Sequence, residues 1–99
     1  MAGFVQIMEI KTSRIDELVA LLDKKRAERG DSMLSTRAVI AADRDRADYY
    51  FAIIEFNSYE EAMKNSNDPA TDEVVQTMRD YLEGPPRYYN LDVVRTDEG

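Results

Sequence analysis

The chain contains no histidine, no cysteine and no tryptophan among its 99 residues. Without histidine it lacks the side chain that most often serves as general base and metal ligand near neutral pH, and the usual proximal haem ligand. Without cysteine there is no disulfide and no thiolate nucleophile, and cysteine usage leaves the redox compartment open. Any chemistry must come from carboxylates, amides, arginines and tyrosines. Cations are also scarce: thirteen basic residues face twenty acidic ones, for a net charge of -7. A polyanionic partner is repelled on average. Arg44 and Arg46 lie close together, but Asp43, Asp45 and Asp48 interleave with them. The apolar stretch that opens at Phe4 is interrupted by Glu9 and Lys11, and no apolar run approaches the ~20 residues that span a bilayer. The expectation is a cytoplasmic protein with no leader, no membrane partner and no nucleic-acid partner.

What is present is the material of one globular domain, residues 1–99, with 43% hydrophobic and 33% charged side chains. Phe4–Ile10 reads as a strand. Ser13 with Asp16 resembles a capping box, and the apolar residues Ile15, Leu18, Val19 and Leu22 share a helical face. Gly30 ends that helix after Lys24, Lys25, Arg26 and Arg29, cations that complement the helix dipole on a solvated face. Met33–Ala42 and Tyr49–Phe56 read as strands around the polar turn Asp43–Asp48. Ser58 and Glu61 form a capping box for a second helix. Asn65–Pro69 interrupts it, with Asp68 placed to cap and Pro69 opening a new helix whose apolar face is Val74, Val75, Met78 and Leu82. Gly84, Pro85 and Pro86 stop that helix, Arg87–Val94 is a fourth strand, and 95–99 is a polar tail.

The order strand, helix, strand, strand, helix, strand predicts an α+β, ferredoxin-like βαββαβ sandwich: a four-stranded antiparallel sheet with helices on one face, the second helix interrupted. The first and third strands are apolar on both sides, whereas a sheet with one wet face alternates apolar with polar. Two helices cover one face. The other face needs a cover that this chain does not supply. A second copy of the sheet, in a homodimer, is one cover. RNA stacked on aromatics is the other. The RNA reading demands a basic residue, a glycine and a second stacking aromatic where the third strand carries Tyr49, Tyr50 and Ile53, and the net charge opposes it. The homodimer is the stronger reading.

At this point the chain resembles the dimeric α+β barrel superfamily, in particular its antibiotic-biosynthesis-monooxygenase-like branch. The resemblance runs along nearly the whole chain and is sharpest at Glu55-Phe56-Asn57-Ser58, Glu61-Ala62 and Asn65-Ser66. Phe56 stands where the family commonly carries tryptophan, and Asn65 near its common histidine. The resemblance implies a cavity between helices and sheet, a homodimer formed through the sheet face, and no cofactor. In some relatives a substrate phenolate or carbanion reacts directly with oxygen. Haem chemistry through a histidine does not carry over. The implied function is binding of a small molecule, with cofactor-independent monooxygenation or isomerisation of an aromatic or polyketide-like substrate. The alternative is a non-catalytic module for association or ligand sensing.

Each candidate residue has two readings. Asn65 and Asn67 either satisfy the backbone at the helix break or bind a ligand, Asn65 then polarising a carbonyl or enolate oxygen. The adjacent pairs Tyr49, Tyr50 and Tyr88, Tyr89 place one ring on each sheet face, as packing residues or as donors at a cavity mouth. Tyr49 and Tyr89, with Asn65, are the candidates for catalysis. Phe56, Arg37, Asn67, Phe51 and Met78 are those for substrate contact. Arg37 either pairs with Glu9 or Glu55 at the dimer seam or clamps an anionic substrate. Arg79 reads as solvated. Cavity filling is expected from Met8, Phe51, Ile53, Val75, Met78 and Leu82. The acidic turn Asp43–Asp48 lacks the glycine and distal glutamate of an EF-hand, so no metal is expected.

Overall fold

A computed structural model describes residues 3–30 and 34–98. Strand β1 (Phe4–Lys11) is followed by helix α1 (Ile15–Arg29), strands β2 (Ser35–Ala42) and β3 (Tyr49–Phe56), helices α2 (Tyr59–Asn67) and α3 (Pro69–Met78), and strand β4 (Arg87–Asp92). The four strands form one antiparallel sheet in the order β2-β3-β1-β4. This is the expected βαββαβ sandwich.

Register decides what each sheet face can do. Phe4 pairs with Phe56, Met8 with Ala52 and Ile10 with Tyr50. The buried residues Phe4, Met8, Ile10, Ala52 and Phe56 therefore share one face, where they meet Leu18 of α1, Ala62 of α2 and Met78 of α3. All the helices lie on this inner face. The outer face carries Val5, Ile7 and Glu9 of β1, and Phe51, Ile53 and Glu55 of β3. Arg37 and Val39 of β2, and Tyr89 and Leu91 of β4, share it. None of these outer residues is buried, and Leu91 is 45% exposed. An apolar face this bare is the feature the two-sided strands foretold.

The local signals worked where they act within a few residues. Glu61 N donates to Ser58 Oγ at 3.2 Å, capping α2. At the helix break Asp68 is extended (φ -73°, ψ 127°), its carboxylate accepts from Ala70 N at 2.9 Å, and Pro69 takes the first position of α3, where no N–H is needed. The break is narrower than expected, because α2 continues through Asn67.

Other expectations are corrected. Ser13 does not cap α1: Arg14 is the N-cap residue and no side chain caps the helix. Thr12, fully buried, fixes the turn before the helix: its hydroxyl accepts from Arg14 N at 3.0 Å and donates to Tyr81 O at 2.5 Å, a contact between residues 69 apart in sequence. Strand β2 begins at Ser35, and Met33 lies outside the described residues. Helix α3 ends at Met78 in a single 3-10 turn, Arg79–Tyr81, so Leu82 packs on the core from extended backbone. Strand β4 ends at Asp92 rather than Val94. Val93 N still bonds to Gly3 O at 3.1 Å, but Val94 is 96% exposed. Among the described residues no helix is long and apolar enough to cross a membrane.

Candidate functional site

Between the helices and the inner sheet face lies an open cavity of about 920 Å³. Its floor is Met8, Ala52, Ile54 and the inner-face residues Ala38, Ile40 and Ala42 of β2. Its roof is Val19 and Leu22 of α1 with Val74, Val75 and Met78 of α3. The small side chains explain the space. Alanines at 38, 42 and 52 leave room that larger residues would fill. The volume falls in the range of about 300–1,000 Å³ typical of small-molecule pockets.

A polar corner forms where the last turn of α1 meets the α2–α3 break. Arg29 is held there with its side chain 11% exposed, ion-paired to Asp68 at 3.2 Å. Its Nη1 donates to Thr71 Oγ1 at 3.0 Å and to Asn65 Oδ1 at 3.4 Å. Thr71 Oγ1 in turn donates to Asn65 Oδ1 at 3.3 Å. Arg29, Asn65 and Thr71 all line the cavity, as does Ser35, whose buried hydroxyl has no hydrogen-bond partner among the described residues. Asn65 borders the cavity, and its amide oxygen bonds to the Arg29 and Thr71 side chains rather than to backbone at the helix break.

The other candidates are distributed differently. Met78 lines the cavity beside Asn65. Tyr49, Tyr89, Phe51 and Arg37 do not: strand parity turns them to the outer face. Ile53, expected among the cavity fillers, faces outward with them, paired with Ile7 and Val39. Tyr50 and Tyr88, their neighbours in sequence, take the cavity side. Phe56 is fully buried with Phe4 and Ala62 and does not reach the cavity, and Asn67 is exposed outside it. Arg29, Thr71 and Ser35 escaped the sequence reading. Arg29 looked like one more cation at a helix end, and nothing local ties it to residues 36 and 42 positions away.

The outer face has its own polar network. Tyr89 Oη donates to Glu9 Oε1 at 3.2 Å, and Arg37 pairs with Glu55 at 3.6 Å, one of the two carboxylates foreseen for it. Arg46 reaches Glu9 at 3.7 Å and stacks over Tyr49, 4.2 Å from the ring centroid. Its Nε donates to Asp43 at 2.8 Å. The Asp45 backbone N–H and then the Arg46 guanidinium hold the Asp43 carboxyl below its ordinary pKa, and Asp43 in return raises that of Arg46. Among the described residues no three carboxylates converge as a metal site would require.

No protein-family model and no curated protein sequence matches the chain. Solved structures do. An asparagine-to-alanine variant of SnoaB, a cofactor-independent oxygenase from Streptomyces nogalater, superimposes with a TM-score of 0.79 over 97% of both chains at 11% identity. A conserved protein from Methanosarcina mazei Go1 gives a TM-score of 0.77 over 93% of each chain at 7% identity. An antibiotic biosynthesis monooxygenase gives 0.71 over 93% of this chain and 99% of its own, at 12% identity. The fold is thus that of the antibiotic-biosynthesis-monooxygenase proteins, a ferredoxin-like α+β sandwich, as the sequence resemblance implied.

Proposed function

We propose that the chain is the protomer of a cytoplasmic homodimer that binds an aromatic or polyketide-like small molecule in the inner cavity and oxidises it without a cofactor. The observation that carries this reading is the cavity: about 920 Å³, walled mainly by aliphatic side chains, with the Asn65 amide at its polar corner. A flat apolar molecule gains by leaving water for such walls. An amide N–H beside it can stabilise oxygen-centred negative charge as a phenol or enol is deprotonated. The resulting anion supplies electrons to O2: a ring methylene becomes a carbonyl as one oxygen atom enters the substrate and the other leaves as water. That SnoaB, described as a cofactor-independent oxygenase, shares the fold supports the reading. The bare outer sheet face supports the homodimer, because a second copy would remove Val5, Ile7, Phe51 and Ile53 from water.

The test is oxygen uptake with a panel of hydroxylated aromatics. The wild type consumes oxygen with at least one, and Asn65→Ala slows it by about 10²–10³, the usual loss for a donor to a developing oxyanion. A second reading, a non-catalytic ligand-binding dimer, is favoured by one observation: Phe56, standing where relatives commonly carry tryptophan, is sealed in the core away from the cavity. Ligand binding without oxygen uptake by the wild type selects that reading.

A further inference from the structure

Helix α1 is held in two different ways along its length. Its N-terminal half is anchored by packing. Leu18 is fully buried among Met8, Ile10, Ala52 and Met78, and Ile15, Leu21 and Leu22 pack against the same cluster. Just before the helix, the Arg14 guanidinium stacks over the Tyr81 ring, 4.4 Å from its centroid. The C-terminal half, 23–29, has no such apolar anchor. Its one apolar residue is Ala27, which is exposed, and none of its residues is buried.

What holds this half is charge. Lys25 Nζ pairs with Glu73 of α3 at 3.2 Å. Arg29 pairs with Asp68 at 3.2 Å and donates to Thr71. The seam these contacts cross is not filled: a crevice of about 170 Å³ remains, bordered by Glu28, Ala70 and Val74 as well as by Lys25, Arg29 and Glu73. A helix end that buries no apolar side chain opens locally at low free energy. Ion pairs with exposed members contribute little each and weaken as salt screens them.

This half-helix also borders the cavity: Asp23, Lys25, Arg26 and Arg29 line it. Val19 of α1 and Ile40 of β2 line it too and are each 37% exposed, which places the mouth between α1 and β2. Unwinding α1 from Arg29 back to Leu22 widens that mouth, while Leu18 keeps the rest of the helix in place.

Resting on the reading of this cavity as a ligand site, we propose that residues 23–29 form a lid, latched to α3 by the Lys25–Glu73 and Arg29–Asp68 ion pairs, and that release of the latch admits and discharges the ligand. Glu73 and Asp68 stand outside the cavity lining, so they govern passage without touching the ligand. A lid latched alike over the empty and the filled cavity sets rates and leaves affinity unchanged.

Glu73→Gln and Asp68→Asn remove the pairs with little change of shape, and asparagine still caps α3. Glu60→Gln, which removes one charge from an exposed position at the start of α2, is the control. The probe is Nile red, an uncharged dye that brightens on leaving water, followed by stopped flow. At low salt each latch variant is expected to raise the association and dissociation rates about threefold, and the double variant about tenfold, with Kd held within about twofold. Glu60→Gln is expected to match the wild type. The ratio of double variant to wild type should fall towards one in 1 M NaCl, where the screening length is about 3 Å. Amide hydrogen exchange reads the lid without a ligand: residues 24–29 should exchange faster in the double variant, and residues 18–21 at the wild-type rate. Unchanged binding rates overturn the lid and leave the cavity a ligand site. So does a changed dissociation rate with Kd moving in step, since the ion pairs then act only on the bound state. Unchanged exchange at 24–29 overturns the latch. Failure of the wild type to bind Nile red overturns the ligand-site reading on which the lid rests.

Discussion

Replacing Ile53 by aspartate should dissolve the proposed dimer while leaving the cavity intact. Ile53 sits mid-strand on the outer face, with Ile7 opposite it on one side and Val39 on the other. Phe51 and Glu55 precede and follow it on the same face of β3. An aspartate there meets no cation directly across from it, and a symmetric interface meets the substitution twice. Each unpaired carboxylate buried at an interface costs about 2–5 kcal/mol. Two of them cost at least ~4 kcal/mol, which raises the dissociation constant about 10³-fold. In the separated protomer the same position is half-buried and within reach of water, so the fold should tolerate the change. Sedimentation velocity across nanomolar to micromolar concentration reads the outcome: wild type at twice the chain mass, Ile53→Asp at one. The helix-sheet packing on the opposite side of the sheet should change little, so that the thermal unfolding transition is kept. If Ile53→Asp dimerises with the wild-type constant, the outer face is not the interface and the argument from two-sided strands is wrong.

Leu18 is fully buried among Met8, Ile10, Ala52 and Met78, so Leu18→Ala should cost about 2–5 kcal/mol and lower Tm by on the order of 10 °C or more; thermal unfolding by circular dichroism checks it. Asp43 has a pKa below its ordinary value. Its stabilisation is therefore complete above the ordinary carboxylate value of about 3.9 and disappears as pH falls through the lower folded value. Urea unfolding of wild type against Asp43→Asn should show a difference at pH 6 that shrinks towards pH 2, and a pH-independent difference would refute the assignment. Gly84, after the 3-10 turn, has φ 103°. Gly84→Ala should cost about 1–2 kcal/mol through strain alone, since a Cβ there meets open space; a stability unchanged in urea would contradict that.

How much of this was legible in the sequence depended on range. Ser58, Asp68 and Pro69 act on backbone groups within three residues, and their roles could be read directly. The order of elements followed from periodicity. The bare sheet face followed from Val5, Ile7, Phe51 and Ile53 being apolar opposite an equally apolar set. Which set met the helices was not legible, because that parity rests on Met8 pairing with Ala52, a register set by packing across 44 positions. Tyr49 and Tyr89 were assigned to the wrong side for that reason alone. The polar corner was hidden in the same way: Asn65 is marked by its place at a helix break, whereas Arg29 becomes its partner only once α1 is laid across α3.

The paired tyrosines carry a consequence for how such a protein can change. Tyr50 and Tyr88 border the inner cavity while Tyr49 and Tyr89, one residue away, belong to the outer face proposed for self-association. Odd and even positions of these strands thus serve separate surfaces. Substitutions at even positions can retune ligand choice without touching the subunit contact, and those at odd positions can do the reverse. A single-residue insertion within a strand would exchange the two surfaces at a stroke. Replacement thus alters one surface at a time, whereas an insertion spares the pattern only where a bulge absorbs it, as the register shift between Ser35 and Arg37 does at the start of β2.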